Sequence, residues 1–387
     1  MTGDLVLRRG LVMTAGGPVV LDVVVRDGVV VEVGPDLDTV GCEVIDCSGA
    51  WVGPGFVDLH THLREPGHEW KEDIESGSQA AAAGGYTAVV AMPNTAPPLD
   101  AGHLARHVTD RGREVGLVDV FPAGCVSAGL VGERLARLDE LSMAGVHLFT
   151  DDGDVVADTG ILRAAMDYLA DLGAVVARDI ALVRLTGCRY HVQHVSAAQT
   201  VALVAAAKAE GLPVTAEVTP HHLAFDHHAV TGTDPAFKMM PPLRSPEDRA
   251  ALVAGLRDGT IDALATDHAP HADHEKDVPF EEAPSGVIGL EWAAAVTNTV
   301  VGLDPVDLFD RMSVAPARIA EAEGHGLWVA PGVPANLTVF DAAAPCVVHS
   351  RSRSANTPYR EGAYAGSVRL TLLRGKITSS PTMAGRP

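Results

Sequence analysis

The stretch GFVDLHTHLREPG, Gly55 to Gly67, carries an apolar run onto two histidines, His60 and His62, and then breaks at Arg64, Pro66 and Gly67. Side chains two residues apart on a strand share a face. The pair therefore predicts two imidazoles at one strand end, an arrangement suited to a metal ion. An isolated HxH is more often ordinary surface or core histidine, so the reading turns on whether later strands bring further ligands to the same place.

Seven more strand-like runs follow: YTAVVAMP, VGLVDVFPAG, VHLFTDD, GAVV, CRYHVQHVS, PVTAEVTP and DALATDHAP. Between most of them lie Ala-, Leu- and Arg-rich helical segments such as AAQTVALVAAAKAEG and SPEDRAALVAGLRDG. Eight such units predict an α/β fold, a (β/α)8 TIM-type barrel. A doubly wound open sheet is the alternative, but no GxGxxG follows the first strand. The flanks read differently. VVLDVVVRDGVVVEVG is two β-branched runs around Asp27-Gly28, a hairpin signature, and the same texture returns in ANLTVFD and SVRLTLLRGKI. The expected division is a small β-sandwich-like domain from residues 1–51 plus 331–387, with a metal-dependent catalytic barrel over 52–330.

Composition narrows the function. A net charge of −21 over 387 residues repels nucleic acid and anionic membranes, so neither is an expected partner. A small anion remains acceptable where arginines hold it. The five cysteines (Cys42, Cys47, Cys125, Cys188, Cys346) show no CxxC spacing, which argues against a disulfide framework and for a reduced cytoplasm. The N-terminal MTGDLVLRRGLVM lacks the apolar core of a signal peptide, and no run is long enough to span a bilayer.

In a (β/α)8 barrel the carboxyl ends of the strands converge on one mouth, where chemistry is placed. The strand ends here carry His60 and His62, Asn94, Asp151 and Asp152, His194, then Asp267, His268 and His271. Histidine with carboxylate oxygen suits zinc, and such a set could hold two ions sharing a carboxylate. Taken singly, TDHAPH also reads as a helix cap and FTDDG as a turn. His221 and His222 in TPHHL read as supporting or packing residues, because the other ligands suffice. Cys188 reads as buried and inert.

The segments DLHTHLREPG, AMPNT, FTDDG, HVQHVS, AEVTPHHL, PPLR, ATDHAPH, GLE and SANTP occur in the order seen in dihydroorotases of the bacterial stand-alone type, within the amidohydrolase superfamily. The chain resembles that family over nearly its whole length. The resemblance implies zinc-dependent, reversible hydrolysis of dihydroorotate to N-carbamoyl aspartate, a step of pyrimidine synthesis. It implies two zinc ions, with His60, His62, Asp151, His194 and Asp267 as metal ligands and Asp151 as the bridge. It also implies substrate contacts from His62, Arg64, Asn94 and His271 and from the backbone around Ser285-Gly286. Asp267, touching metal and water, would carry the proton to the departing amide nitrogen. Arg64 would pair with the substrate carboxylate. Hydantoinases and allantoinases bridge their metals with a carboxylated lysine on the fourth strand; this chain has no lysine between Lys71 and Lys208, so the bridge is expected to be a carboxylate.

One part of the pattern is absent. The family presents a further histidine ligand after the fifth strand, followed by a long loop. Here GAVV runs directly into ARDIALVRL, and a few tens of residues including that histidine are missing. Asp179 is a candidate replacement. In KMMPPLR, Met240 stands where relatives often carry a polar residue. Two rival readings follow: a hydantoinase- or allantoinase-type cyclic amidohydrolase, and a non-catalytic subunit that supports aspartate transcarbamoylase by assembly. Self-association is left open.

Overall fold

Strands β1 (Leu5–Thr14), β2 (Gly17–Arg26) and β3 (Val29–Gly34) form an antiparallel meander. Its second turn is Asp27-Gly28, both at positive φ (48° and 82°), the backbone that a two-residue turn between twisted strands requires. Strands β4 (Glu43–Asp46) and β5 (Trp51–Pro54) then lie parallel to β1. The computed structural model describes residues 4–153, 156, 158–168, 176–231 and 233–380.

From Phe56 onward the pairing becomes parallel. β6 (Phe56–Thr61), β7 (Tyr86–Ala91) and β8 (Asp119–Pro122) make one three-stranded sheet. β9 (Tyr190–Val192), β10 (Val214–Val218) and β11 (Ala263–Leu264) make another. Parallel bridges extend them toward each other: Thr61 to His268 on one side, and Gly124 to Phe149 beyond β8. Every residue of β6 and β7 is buried, as expected of strands covered on both faces. The fifth run, GAVV, lies outside the described residues except for Val176. That residue opens the helix Val176–Thr186 instead of ending a strand, a correction to the sequence reading.

Three more strands, β12 (Leu337–Pro345), β13 (Ala365–Leu373) and β14 (Lys376–Ser379), return to the first ones. β12 pairs antiparallel with β5, giving one sheet in the order β14-β13-β12-β5-β1-β2-β3, with β4 beside β1. The sheet therefore takes in residues up to Pro54, slightly past residue 51. It is fastened to the barrel by aromatic packing. The Phe56 ring lies 5.3 Å from Phe309 and 6.5 Å from Phe340, all three fully buried, each contributing about 1.5–3 kcal/mol through burial. At the start of β8, Asp119 accepts from Arg374 Nη1 at 2.6 Å and faces His325 Nε2 at 2.9 Å. Of the predicted helices, residues 198–209 and 246–258 form as read. The second begins with a reciprocal cap between Ser245 and Asp248 and has Pro246 at its first position, each a strong start signal. None of the five cysteines forms a disulfide, and among the described residues no helix is long and apolar enough to cross a membrane.

Candidate metal centre

His60 and His62 leave the end of β6 on the same face, as their spacing requires. Both Nε2 atoms approach Asp267 Oδ1, at 3.6 and 3.2 Å. His60 is fully buried. Its Nδ1 meets Glu217 Oε1 at 3.0 Å, and Glu217, also fully buried, takes His191 Nε2 on its other oxygen at 3.0 Å. With its Nδ1 turned to Glu217, the His60 ring points its Nε2 inward. That atom has no hydrogen-bond partner although it is buried, and it lies 3.4 Å from Asp152 Oδ1. His194 Nε2 reaches the same Asp152 oxygen at 3.4 Å, and His62 Nε2 lies 3.4 Å from Asp152 Oδ2. Two groups of potential ligands result, His60 with His62 and Asp267, and His60 with Asp152 and His194.

The carboxylate facing the imidazoles is thus Asp152, where the sequence reading placed Asp151. Asp151 turns the other way. Its Oδ1 accepts from the backbone N–H groups of Val126 and Ser127 at 2.9 and 3.0 Å, and its Oδ2 accepts from the Ser127 hydroxyl at 2.5 Å. It fixes the loop after β8 and stands outside both groups. Extended neighbours point to opposite faces, so a choice between adjacent aspartates is a choice of register that their identity cannot make.

Charge explains the cluster's need for a cation. Burial alone would lower the pKa of His60, but the Asp152 and Asp267 carboxylates hold it well above the ordinary histidine value. Burial would raise Asp267, yet His60 and His62 pull it down to about 2. Asp152 is likewise held well below the carboxylate range, against the effect of burial, by His60 and His194. Two buried carboxylates among three imidazoles, with an unpartnered ring nitrogen at the centre, fit a divalent metal bound by oxygen and nitrogen.

Around the cluster opens a cavity of about 1040 Å³. Asn94 borders it and accepts from His62 Nδ1 at 2.9 Å, which fixes that ring's tautomer. Arg64 is buried and donates from Nε to Pro270 O at 3.2 Å; burial lowers its pKa to about 10, so it stays cationic at neutral pH. His271 meets Ser285 O with Nε2 at 2.9 Å and leaves Nδ1 unpartnered. Burial, with Arg64 adding to it, lowers its pKa to about 3. Gly286 sits at φ 142°, where a Cβ would lie 2.8 Å from Ala269 O, so only glycine brings that backbone to the cavity wall. Met240 also lines the cavity. Asp179 does not join the site: it is fully buried on the helix Val176–Thr186 and paired with Arg178 Nε at 2.7 Å. TDHAPH is not a helix cap either. Thr266 Oγ1 donates to Asp58 and accepts from His268 N, and Asp267 takes φ 45°.

Glu217 is the site residue that the sequence reading passed over. It lay in AEVTPHHL, one position from the strand's end, and a lone buried glutamate on an apolar strand is itself a signal. His222 braces the wall: its Nδ1 meets Thr219 Oγ1 at 2.7 Å and its Nε2 meets Pro241 O at 2.9 Å.

A barrel of parallel strands with two histidines ending the first and aspartates ending later ones defines a metal-dependent amidohydrolase. The Amidohydrolase family model matches residues 139–378, and a Dihydro-orotase-like model matches residues 49–181. The chain is 44% identical over 409 residues to the dihydroorotase of Mycobacterium tuberculosis, covering 93% of this chain and 95% of that protein. It is 43% identical over 420 residues to that of Streptomyces coelicolor, covering 96% and 97%. The chain belongs to the dihydroorotase family. Its alignment with the dihydroorotase of Anaeromyxobacter dehalogenans, 40% identical, covers 100% of both chains over 437 residues; the chain has 387, so that relative has positions without a counterpart here. Among solved structures, the L-hydantoinase (dihydropyrimidinase) from Arthrobacter aurescens superposes with a TM-score of 0.87 at 23% identity, covering 98% of this chain and 96% of that one. A D-hydantoinase gives 0.82 at 22%, covering 97% and 95%. These two share the fold.

Proposed function

We propose that this chain is a dihydroorotase that interconverts dihydroorotate and N-carbamoyl aspartate in pyrimidine synthesis. The observation that carries the reading is the meeting of His60, His62, His194, Asp152 and Asp267 around one buried, unpartnered ring nitrogen, beside a buried arginine suited to a carboxylate. His60, His62 and Asp267 would hold one zinc ion, and Asp152 with His194 a second. Zinc bound there supplies Lewis acidity for the amide carbonyl and an acidified water.

The chain's own groups do the rest. Arg64 pairs with the substrate carboxylate, which explains how a protein of net charge −21 accepts an anion. Asn94 keeps the His62 ring in one tautomer, and His271 with the Ser285-Gly286 backbone borders the pyrimidine ring. Asp267, held ionised, takes the proton of the attacking water and passes it to the departing amide nitrogen; in ring closure the transfer runs backward. Residues 1–51 with 331–387 form a supporting unit around the barrel of 52–330.

A second reading rests on the missing fifth-strand histidine. In it the site is incomplete and the chain serves as a non-catalytic partner of aspartate transcarbamoylase. One experiment separates the two: dihydroorotate hydrolysis by the zinc-loaded chain, with metal content measured in the same sample. Turnover with close to two ions per chain supports the enzyme. No turnover with one ion or none, together with co-elution with the transcarbamoylase, supports the partner.

A further inference from the structure

Two segments have no part in the chemistry described so far, GLE (Gly289–Glu291) and SANTP (Ser354–Pro358). They meet in one device. After β12 the chain returns to the barrel mouth as a strap, residues 350–357, whose bonds fasten it to the segments around Glu72, Glu291 and His271. Glu291 accepts from Ser350 Oγ at 2.6 Å and from Arg351 N at 2.9 Å. Glu72, fully buried in the loop after β6, accepts from the Ser352 hydroxyl and from Arg353 N. It also faces His268 Nε2, next to Asp267, at 3.3 Å. Ser354 Oγ donates to Lys71 O at 2.7 Å.

Near the end of the strap stands Asn356, whose buried amide joins two loops that border the substrate cavity. Its Oδ1 accepts from His271 N at 3.1 Å, while Nδ2 donates to Ala269 O and to Gly286 O, both at 3.0 Å. Its backbone oxygen accepts from Ile288 N at 2.9 Å. Both amide hydrogens are used, and each partner is backbone of a segment that touches the cavity. An amide is required here, because the site must accept one N–H and donate to two carbonyls; neither a carboxylate nor an aliphatic side chain does both.

We propose that Asn356 is a positioning residue, which holds the His271 and Gly286 segments at the spacing that admits the substrate ring, and that the strap anchored by Glu72 and Glu291 delivers it there. The inference rests on the dihydroorotase reading. It predicts an effect on substrate fit, because Asn356 touches no group of the metal cluster. A misplacement on the ångström scale in an active site can cost about a hundredfold.

The test compares Asn356→Asp and Asn356→Ala with the unaltered zinc-loaded chain, recording KM, kcat, metal content and amide hydrogen exchange. Ser352→Ala, which loosens the strap while leaving Asn356 in place, serves as the milder variant should the others fail to fold. The expected result is a KM raised about tenfold or more, with metal content unchanged and kcat lowered less than KM rises. Exchange should quicken at residues 269–271 and 286–288. Ser352→Ala should move the same quantities the same way by a smaller factor. Faster exchange with KM unchanged would reduce Asn356 to a structural role and overturn the proposal, as would an unchanged exchange pattern. If the unaltered chain does not turn over dihydroorotate, the functional reading fails separately, and local exchange at those two segments still decides whether Asn356 orders them.

Discussion

The two sides of the metal cluster are built to different standards. On the side where β6 meets the 265–271 segment, His62 N donates to His268 O at 2.9 Å and Asp58 accepts from both the Thr266 amide and hydroxyl. His60 and Asp267 sit in that seam almost wholly buried. On the far side, the strand after β8 is reduced to the single bridge from Gly124 to Phe149, and the His194 side chain is 24% exposed. A ligand whose backbone and ring are already fixed pays little further ordering entropy when metal binds. The seam should therefore hold its ion in most conditions, and the far side should lose its ion first.

Removing the ring at the centre of the cluster, whose Nε2 faces both Asp152 and Asp267, should do most damage. For His60→Ala we expect less than one metal ion per chain by elemental analysis, and a loss of hydrolysis beyond the hundredfold or so that loss of an outer partner costs. Retention of both ions would break the comparison at its centre. Asp152→Asn should remove the far-side ion alone, leaving about one ion per chain with activity strongly reduced. Asp151→Asn should keep both ions and show its cost in denaturant unfolding, about 1–3 kcal/mol. The opposite outcome for the two aspartates would restore Asp151 as the bridge. Glu217→Gln should weaken zinc affinity about 10- to 100-fold, read by competition with a chelator, because it orients His60 while binding no ion itself.

The smallest effect concerns Asp179. Burial raises its pKa to about 6, against the pull of Arg178. A folded-state pKa above the unfolded value means that the unfolded chain gives up its proton first. Stability from this group is therefore full below about pH 4 and declines as pH rises toward 6. Asp179→Asn should flatten that part of the stability profile and raise the melting temperature more at pH 7 than at pH 4. Metal content should stay the same; a fall would return Asp179 to the site.

Much of this was legible from spacing. The HxH pair could be placed on one face from a period of two, and the barrel from alternation of strands and helices. The Asp27-Gly28 hairpin was fixed by turn chemistry. What could not be read was whatever depends on a single step of register or on contacts remote in sequence. Asp151 and Asp152 are chemically alike, and only the fold decides which one faces the imidazoles. Glu217 meets His60 across 157 residues of chain, and Asn356 reaches His271 across 85. Val176 looked like strand because GAVV is β-branched and apolar; the helix it opens runs through ARDIALVRLT, whose own propensity is helical.

The position of β5 has a consequence for how the protein is made. Its one neighbour is β1, already synthesised, and its other is β12, beginning at Leu337. At roughly 5–20 residues per second, the interval between the two leaving the ribosome is on the order of tens of seconds. Throughout it, the nascent chain carries a hydrophobic strand with one bare edge, the kind of surface that captures other chains. A message cut short anywhere in the barrel would leave that edge permanently open.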